Sequence, residues 1–237
     1  MILNQHQNFS VEQTPKDDAR FGGGHVLVRF AEMGLLGPNS TFVHMNVLRD
    51  DEVQPVVESG MSIVWHPGNY QYYGLAALIP SRMPELHRQG VNLTLGVDAA
   101  KIWTFGELAR IAYLVARQGG HYIPSESLLE MQTINGARAL GLQDRIGSLE
   151  PGKRADLVIR STEMAEALPN LNVVMQMLML SQSRSIDTVV CDGEVIFRKG
   201  HLTRVDEGAV YDLARASTRR MLERTGIAPG TRWPVVA

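Results

Sequence analysis

A single cysteine, Cys191, stands among 237 residues, so no disulfide can form within the chain. Charge of one sign is not in excess either. Lys and Arg number 23 against 25 Asp and Glu, interspersed, for a formal net charge of -2, which removes the electrostatic reason to expect nucleic acid or an anionic membrane as a partner. No apolar run approaches the roughly 20 residues that cross a bilayer; the longest candidate, VVMQMLML at 173–180, is short and contains Gln176. No basic leader with an apolar core opens the fold, and with the lone cysteine this makes the cytoplasm the expected compartment. FGGGH at 21–25 lacks the Gly-Lys-Ser/Thr ending of a phosphate loop, which leaves flexibility or close helix packing as its use. What is there is 44% hydrophobic, ordinary for a globular chain that buries a core. Its balance of charge fits a small, roughly neutral substrate.

The first half repeats one grammar. MILNQH, TFVHMN, MSIVWH and VNLTLGVD are short β-prone runs, each followed by helical spacing or a helix-starting signal. The first is followed by a helix through Val26, Leu27, Phe30 and Met33, closed by Gly34 and Gly37. In LRDDEVQPVVESG, Asp50 reads as an N-cap, Val53, Val56 and Val57 share a face, and Gly60 is the stop. PSRMPELHRQG gives a short helix halted by Gly90. Strands alternating with helices at this spacing predict parallel pairing in an α/β layer or barrel.

His6, His44, His66 and Asp98 fall at or within a residue of the four predicted strand ends, and the C-terminal edge of a (β/α) barrel is where ligand-binding residues converge. One histidine at a strand end is usually structural and one aspartate there is often a helix cap. Four in succession form a pattern. Imidazoles and a carboxylate suit zinc or another first-row divalent ion, which acidifies a bound water; Asp98 then serves as ligand and as base. Zinc is the default for a redox-inert hydrolase, with iron or manganese able to use the same donors.

Other features take plainer readings. Met175, Met177 and Met179 read as core or interface filler. YQYY at 70–73 offers aromatic surface for a planar ring or for loop packing. EGAVYDLARASTRRMLERTG carries Val210, Leu213, Ala214 and Met221 on one stripe, as a docking helix does, with Arg219 and Arg220 solvated. His25, His87, His121 and His201 have no partners at ligand spacing and receive no role.

The order His, His, Asp on successive strand ends, followed by TINGARALGL, IGSLEPGKRADLV and DTVVCDGEVIFRKG, resembles the C-terminal half of the metal-dependent amidohydrolase superfamily. The branch is that of cytosine and guanine deaminases, S-adenosylhomocysteine deaminases and triazine hydrolases. The resemblance implies an α/β fold: strands five to eight of a (β/α)8 TIM-type barrel over 1–140, a β-rich segment of a small sandwich domain over 141–205, and a C-terminal helix and tail over 206–237. Local signals agree, since PGKR reads as a turn, ADLVIR as a strand, and TVVCDGEVIF as a hairpin turning at Asp192-Gly193.

The resemblance also implies roles. His6 matches a metal ligand, His44 a residue that polarises or positions substrate and water, and Asp98 a metal ligand that shuttles a proton. Trp65, His66 and Asn69, in the short WHPGNYQYYG string, are the candidates to line the substrate pocket. Phe9 stands where the family's deaminases carry a proton-passing Glu, and Glu12 is nearby at the wrong spacing. No His-x-His pair occurs, so the two metal ligands of the family's first strand are missing. The expected activity is hydrolysis of a non-peptide carbon-nitrogen bond in a small cyclic substrate. The expected partners are a second copy or a separately encoded N-terminal barrel half. The rival expectation is a non-catalytic chain, a pseudoenzyme or a subunit that completes a partner's barrel.

Overall fold

The β-prone runs of the first hundred residues become four short parallel strands in a computed structural model that describes residues 2–98, 104–228 and 230. β1 (Leu3–Gln7), β2 (Ser40–His44), β3 (Ser62–Trp65) and β4 (Asn92–Leu95) lie side by side in chain order. His6 sits opposite Val43, Phe42 opposite Ile63, and Ile63 opposite Leu93. Parallel neighbours need a crossover, and helices supply it. α1 (Thr14–Arg20) and α2 (Val26–Glu32) join β1 to β2, α3 (Asp50–Ser59) joins β2 to β3, and α4 (Pro67–Tyr72) and α5 (Met83–Arg88) join β3 to β4. α6 (Leu108–Gln118), α7 (Ser125–Gln132) and α8 (Ile134–Ala139) follow.

The pleat divides the strand residues between two faces. Phe42, Ile63, Trp65, Leu93 and Leu95 are buried together with Leu27 and Phe30 of α2, Val53 and Val56 of α3, and Leu86 of α5 in one apolar cluster. Burying a side chain of this size contributes about 1.5–3 kcal/mol. Thr41, Asn92 and Thr94 alternate with that row and bind differently. The hydroxyls of Thr41 and Thr94 donate to the carbonyls of Ala139 and Met131, and the Asn92 amide donates to Ser62 Oγ and the Asn135 carbonyl. Polar bonds thus tie α7 and α8 to the sheet.

Further along, β5 (Leu157–Arg160), the short helix α9 (Val173–Gln176), β6 (Ile186–Cys191), β7 (Glu194–Arg198) and β8 (His201–Leu202) follow. The four strands make an antiparallel sheet in chain order. Asp192 and Gly193 have φ of 51° and 82°, the left-handed pair that a two-residue hairpin turn requires. α10 (Glu207–Thr225) starts at Asp206, whose carboxylate accepts the Ala209 N–H at 3.1 Å.

Several expectations change. The residue before α3 is Arg49, not Asp50, whose side chain is 92% exposed; Glu52 does the capping by accepting the Arg49 N–H at 3.1 Å. YQYY is helical rather than loop, because Pro67 starts α4. Gly22 and Gly23 both have positive φ and open space where a Cβ would go, so they turn the chain, whereas a Cβ on Gly24 would lie 3.3 Å from Arg29 Cδ of α2, which is the close helix packing expected of FGGGH. Met177 and Met179 lie against the core, whereas Met175 is 45% exposed. α10 buries no residue, and Val210, Leu213 and Met221 are all exposed; its stripe docks on nothing among the described residues.

Candidate metal centre

Three of the four predicted rim groups lie at strand ends as expected, and the fourth is displaced. His6 is the penultimate residue of β1, His44 ends β2, and His66 follows β3 directly. Asp98 lies three residues past the end of β4 at Leu95, where Gly96 N–H still donates to the Trp65 carbonyl at 2.9 Å and continues the pairing. Residues 99–103 of the motif that begins here lie outside the described residues. Backbone conformation accounts for how these side chains meet. Of the seven non-glycine residues with positive φ among the described residues, Asn8, His44, Met45 and Asp98 are at this rim. Such conformations are costly for residues with a Cβ and concentrate at functional sites. At His44, φ of 74° breaks the alternation that would send its ring to the Phe42 face. The ring instead meets that of His6.

His44 is the hub. Its Nε2 lies 3.0 Å from His6 Nδ1 and 3.8 Å from Asp98 Oδ2, and its Nδ1 lies 3.1 Å from His66 Nδ1. His44 and His66 are buried, and His6 is exposed. The three rings form one hydrogen-bonded chain in which either direction of donation satisfies every contact. Asn69, in the first turn of α4, donates through Nδ2 to Asp98 Oδ2, while its buried Oδ1 has no partner among the described residues. Gly96 makes room for this. A Cβ there would lie 2.3 Å from His66 Nε2 and 2.8 Å from Val64 Cγ1.

Donor atoms of His44, His66 and Asp98 all lie within 4.8 Å of one another. Burial, with the neighbouring imidazoles, pushes the pKa of His44 down to about 4, and Asp98 only partly opposes this. Burial does the same to His66, also to about 4, against the pull of Asp98. Both rings are therefore neutral near pH 7, the form that binds metal. Two neutral imidazoles and a carboxylate are a donor set suited to a divalent ion. His6 stands outside that group of three and touches it through His44.

Two predicted neighbours sit differently. Trp65 is fully buried in the apolar cluster with Nε1 unpartnered, so its ring faces the helices and does not line the rim; adjacent strand residues point to opposite faces. Phe9 occupies the place of the expected acid and packs its ring on His44 at 4.7 Å between centroids, with Tyr73 edge-on to Phe9 at 5.8 Å. Away from the rim, His25 Nδ1 meets Asp51 at 2.7 Å and His121 Nδ1 meets Arg88 at 2.8 Å. Sequence reasoning missed Gly96 as the residue that admits His66. The Gly two residues before the predicted β4 acid was the available signal.

The depressed histidines predict a pH dependence. Unfolding returns both rings to a pKa near 6.5, so below that value the unfolded chain takes up protons that the native one refuses until about pH 4. Stability of the metal-free protein is expected to fall between pH 6.5 and 4, by up to roughly 1.4 kcal/mol per pH unit for each ring. Thermal melts across that range check this, and replacing both His44 and His66 by Gln should flatten the curve.

Known proteins resemble this chain in sequence and fold. The Amidohydrolase family profile matches residues 78–196. The 5'-deoxyadenosine deaminase of Methanothermobacter thermautotrophicus is 31% identical over 196 residues, which is 80% of this chain and 45% of the relative. A 5-methylthioadenosine/S-adenosylhomocysteine deaminase of Teredinibacter turnerae is 30% identical over 211 residues, 85% of this chain and 47% of the relative. Among solved structures, an adenosine deaminase from Xanthomonas campestris with bound zinc superposes with a TM-score of 0.85 at 27% identity, over 93% of this chain and 51% of that one. The chain thus spans about half the length of the curated relatives it matches. A family profile across half the sequence, a mixed α/β fold shared with a zinc-bound deaminase, and a His-His-Asp group at one sheet edge lead to one assignment: the chain belongs to the amidohydrolase family.

Proposed function

We propose that this chain forms the C-terminal half of a metal-dependent amidohydrolase that hydrolyses a non-peptide carbon-nitrogen bond in a small cyclic substrate. The observation that carries the reading is the convergence of His44, His66 and Asp98 within 4.8 Å, in a chain whose relatives are named deaminases. Asp98 and His6 are the proposed metal ligands, and an imidazole nitrogen of His44 or His66, both grouped with Asp98, brings the protein donors to the three usual in catalytic zinc sites. A bound zinc, or iron or manganese in its place, supplies Lewis acidity and lowers the pKa of a water. Asp98 would serve as the proton acceptor and donor between the attacking water and the leaving nitrogen, and the Asn69 amide holds its carboxylate in place. His44 stabilises negative charge developing on the attacked carbon's substituent. Asn69 Oδ1, buried without a partner among the described residues, is placed to accept an N–H from the substrate.

The parallel sheet is read as strands five to eight of a barrel over 1–140, with 141–205 as part of a second β domain and 206–237 as a terminal helix and tail. β1 and β4 are the open edges of that sheet, and unpaired edges recruit further strands. A second copy or a separately encoded N-terminal half is the proposed cover. The second reading, a non-catalytic subunit, draws on Phe9 lying against His44 where the family's deaminases have an acid.

The test is ammonia release from 5'-deoxyadenosine by the zinc-loaded chain, with its mass in solution measured alongside. Release above the zinc-only blank and lost in Asp98→Ala supports the enzyme. Bound zinc without release would leave the subunit reading.

A further inference from the structure

Behind the rim lies a buried ionic network that the proposed chemistry does not use. Glu52, in the first turn of α3, is 0% exposed. Its Oε1 accepts from Leu27 N–H at 3.2 Å and Arg49 Nη2 at 2.7 Å, and its Oε2 accepts from Arg49 Nε at 2.9 Å, Arg49 N–H at 3.1 Å and Asn8 Nδ2 at 3.3 Å. Asp18 takes the rest of the guanidinium, bonding both Nη atoms, and also accepts the Val26 N–H at 3.0 Å. The two carboxylates thereby satisfy the first amides of α2 as well as Arg49. Burying such a network is costly unless every member is paired, so its position is informative.

It reaches the rim through Asn8. This residue is also 0% exposed, with φ of 50°. Its Nδ2 donates to the Val47 carbonyl at 2.7 Å as well as to Glu52, its Oδ1 accepts from Gln7 Nε2 at 2.9 Å, and its carbonyl accepts the Val47 N–H at 2.9 Å. Both backbone groups of Val47 are therefore held by one residue. Met45 N–H donating to Gln7 O at 3.1 Å and Asn46 Nδ2 donating to Phe9 O at 3.1 Å close the remaining gaps. The loops after β1 and β2 are stapled over residues 7–9 and 45–47, immediately beyond His6 and His44. Glu52 fixes which way the Asn8 amide faces, since only the NH2 side can serve a carboxylate and a carbonyl together.

We propose that Asn8, oriented by Glu52, is a positioning residue that sets the separation of the His6 and His44 rings. Its bearing on metal affinity rests on the reading of the rim as a metal centre; the ring geometry itself does not. Groups that orient ligands from behind typically change metal affinity by about 10- to 100-fold.

Asn8→Gly separates positioning from folding, because glycine keeps a left-handed backbone without strain while the amide is lost. On the full chain, zinc affinity is read by chelator competition, imidazole 15N shifts are read in metal-free protein, and melting is read beside both. The expected result is a cooperative melt at a lower temperature than the parent, because the Val47 carbonyl and Gln7 Nε2 each lose a buried partner, with zinc affinity lower by about tenfold or more, and 15N shifts of His6 and His44 moved toward those of solvated rings. Should Asn8→Gly lose cooperative melting, Glu52→Gln carries the same comparison. Unmoved 15N shifts in the folded variant overturn the proposal. If the parent binds no zinc, the metal-centre reading fails while the 15N comparison still decides this one.

Discussion

Asp98→Ala is expected to reduce bound zinc from near one per chain to under about a tenth of that, with an affinity loss beyond the roughly 10- to 100-fold that even outer partners of metal ligands command. Asp98 is the single carboxylate in the group of three donors, so its removal leaves imidazoles only. A second loss accompanies the first. Asn69 Nδ2 would lose its acceptor while Oδ1 already lacks a partner among the described residues, and a buried amide left unbonded costs about 1–3 kcal/mol. Asp98→Asn separates the two, since it keeps an acceptor for Asn69 and removes the charge: it should melt near the parent and still lose the metal. Elemental analysis with thermal melts checks both variants. Stoichiometric zinc retained in Asp98→Ala would remove the carboxylate from the centre.

Gly96→Ala should be strongly damaging although it exchanges no polar group. The added methyl would sit 2.3 Å from His66 Nε2, far inside van der Waals contact, so the His66 ring must leave its place beside His44. Overpacking of this kind costs about 1–3 kcal/mol, and it removes one of the three donors at the same time. The collision is with a side chain, so shrinking that side chain should relieve it. Gly96→Ala in a His66→Ala background is expected to cost much less than in the parent, a coupling that melting curves of the four-member cycle measure directly. Equal costs in both backgrounds would mean that the strain falls on Val64, whose Cγ1 lies 2.8 Å from the added methyl, and not on the ring.

The four parallel strands were legible because each is a short β-prone run, and His6, His44 and His66 were legible because they end those runs. The displacement of Asp98 was not, since nothing in LTLGVD marks where hydrogen bonding stops. Trp65 was misplaced for a reason the sequence did contain. It ends β3 directly before His66, so if His66 faces the other rim histidines, Trp65 must face away from them, and its size suits the core. Glu52 was hidden for the opposite reason. In DDE it looks like Asp50 and Asp51, and only folding distinguishes the buried acid from two exposed ones. Asn8 lies 44 residues from it, with no local pattern to link them. The α10 stripe was read correctly as amphipathic, but periodicity says which face wants cover and not whether the chain supplies it.

The rim also has a history within each molecule's own folding. His6, His44, His66 and Asp98 come from the ends of four strands paired in parallel, each separated from the next by a crossover. Such non-local pairings form slowly, because the intervening chain must be closed before any contact rewards it. No pair of these groups is close in sequence, so the cluster has no counterpart in a nascent or unfolded chain. A donor set distributed in this way exists only once the sheet has paired, and an ion that arrives earlier meets only scattered imidazoles among the seven histidines, with nothing yet to tell the right ones from the wrong.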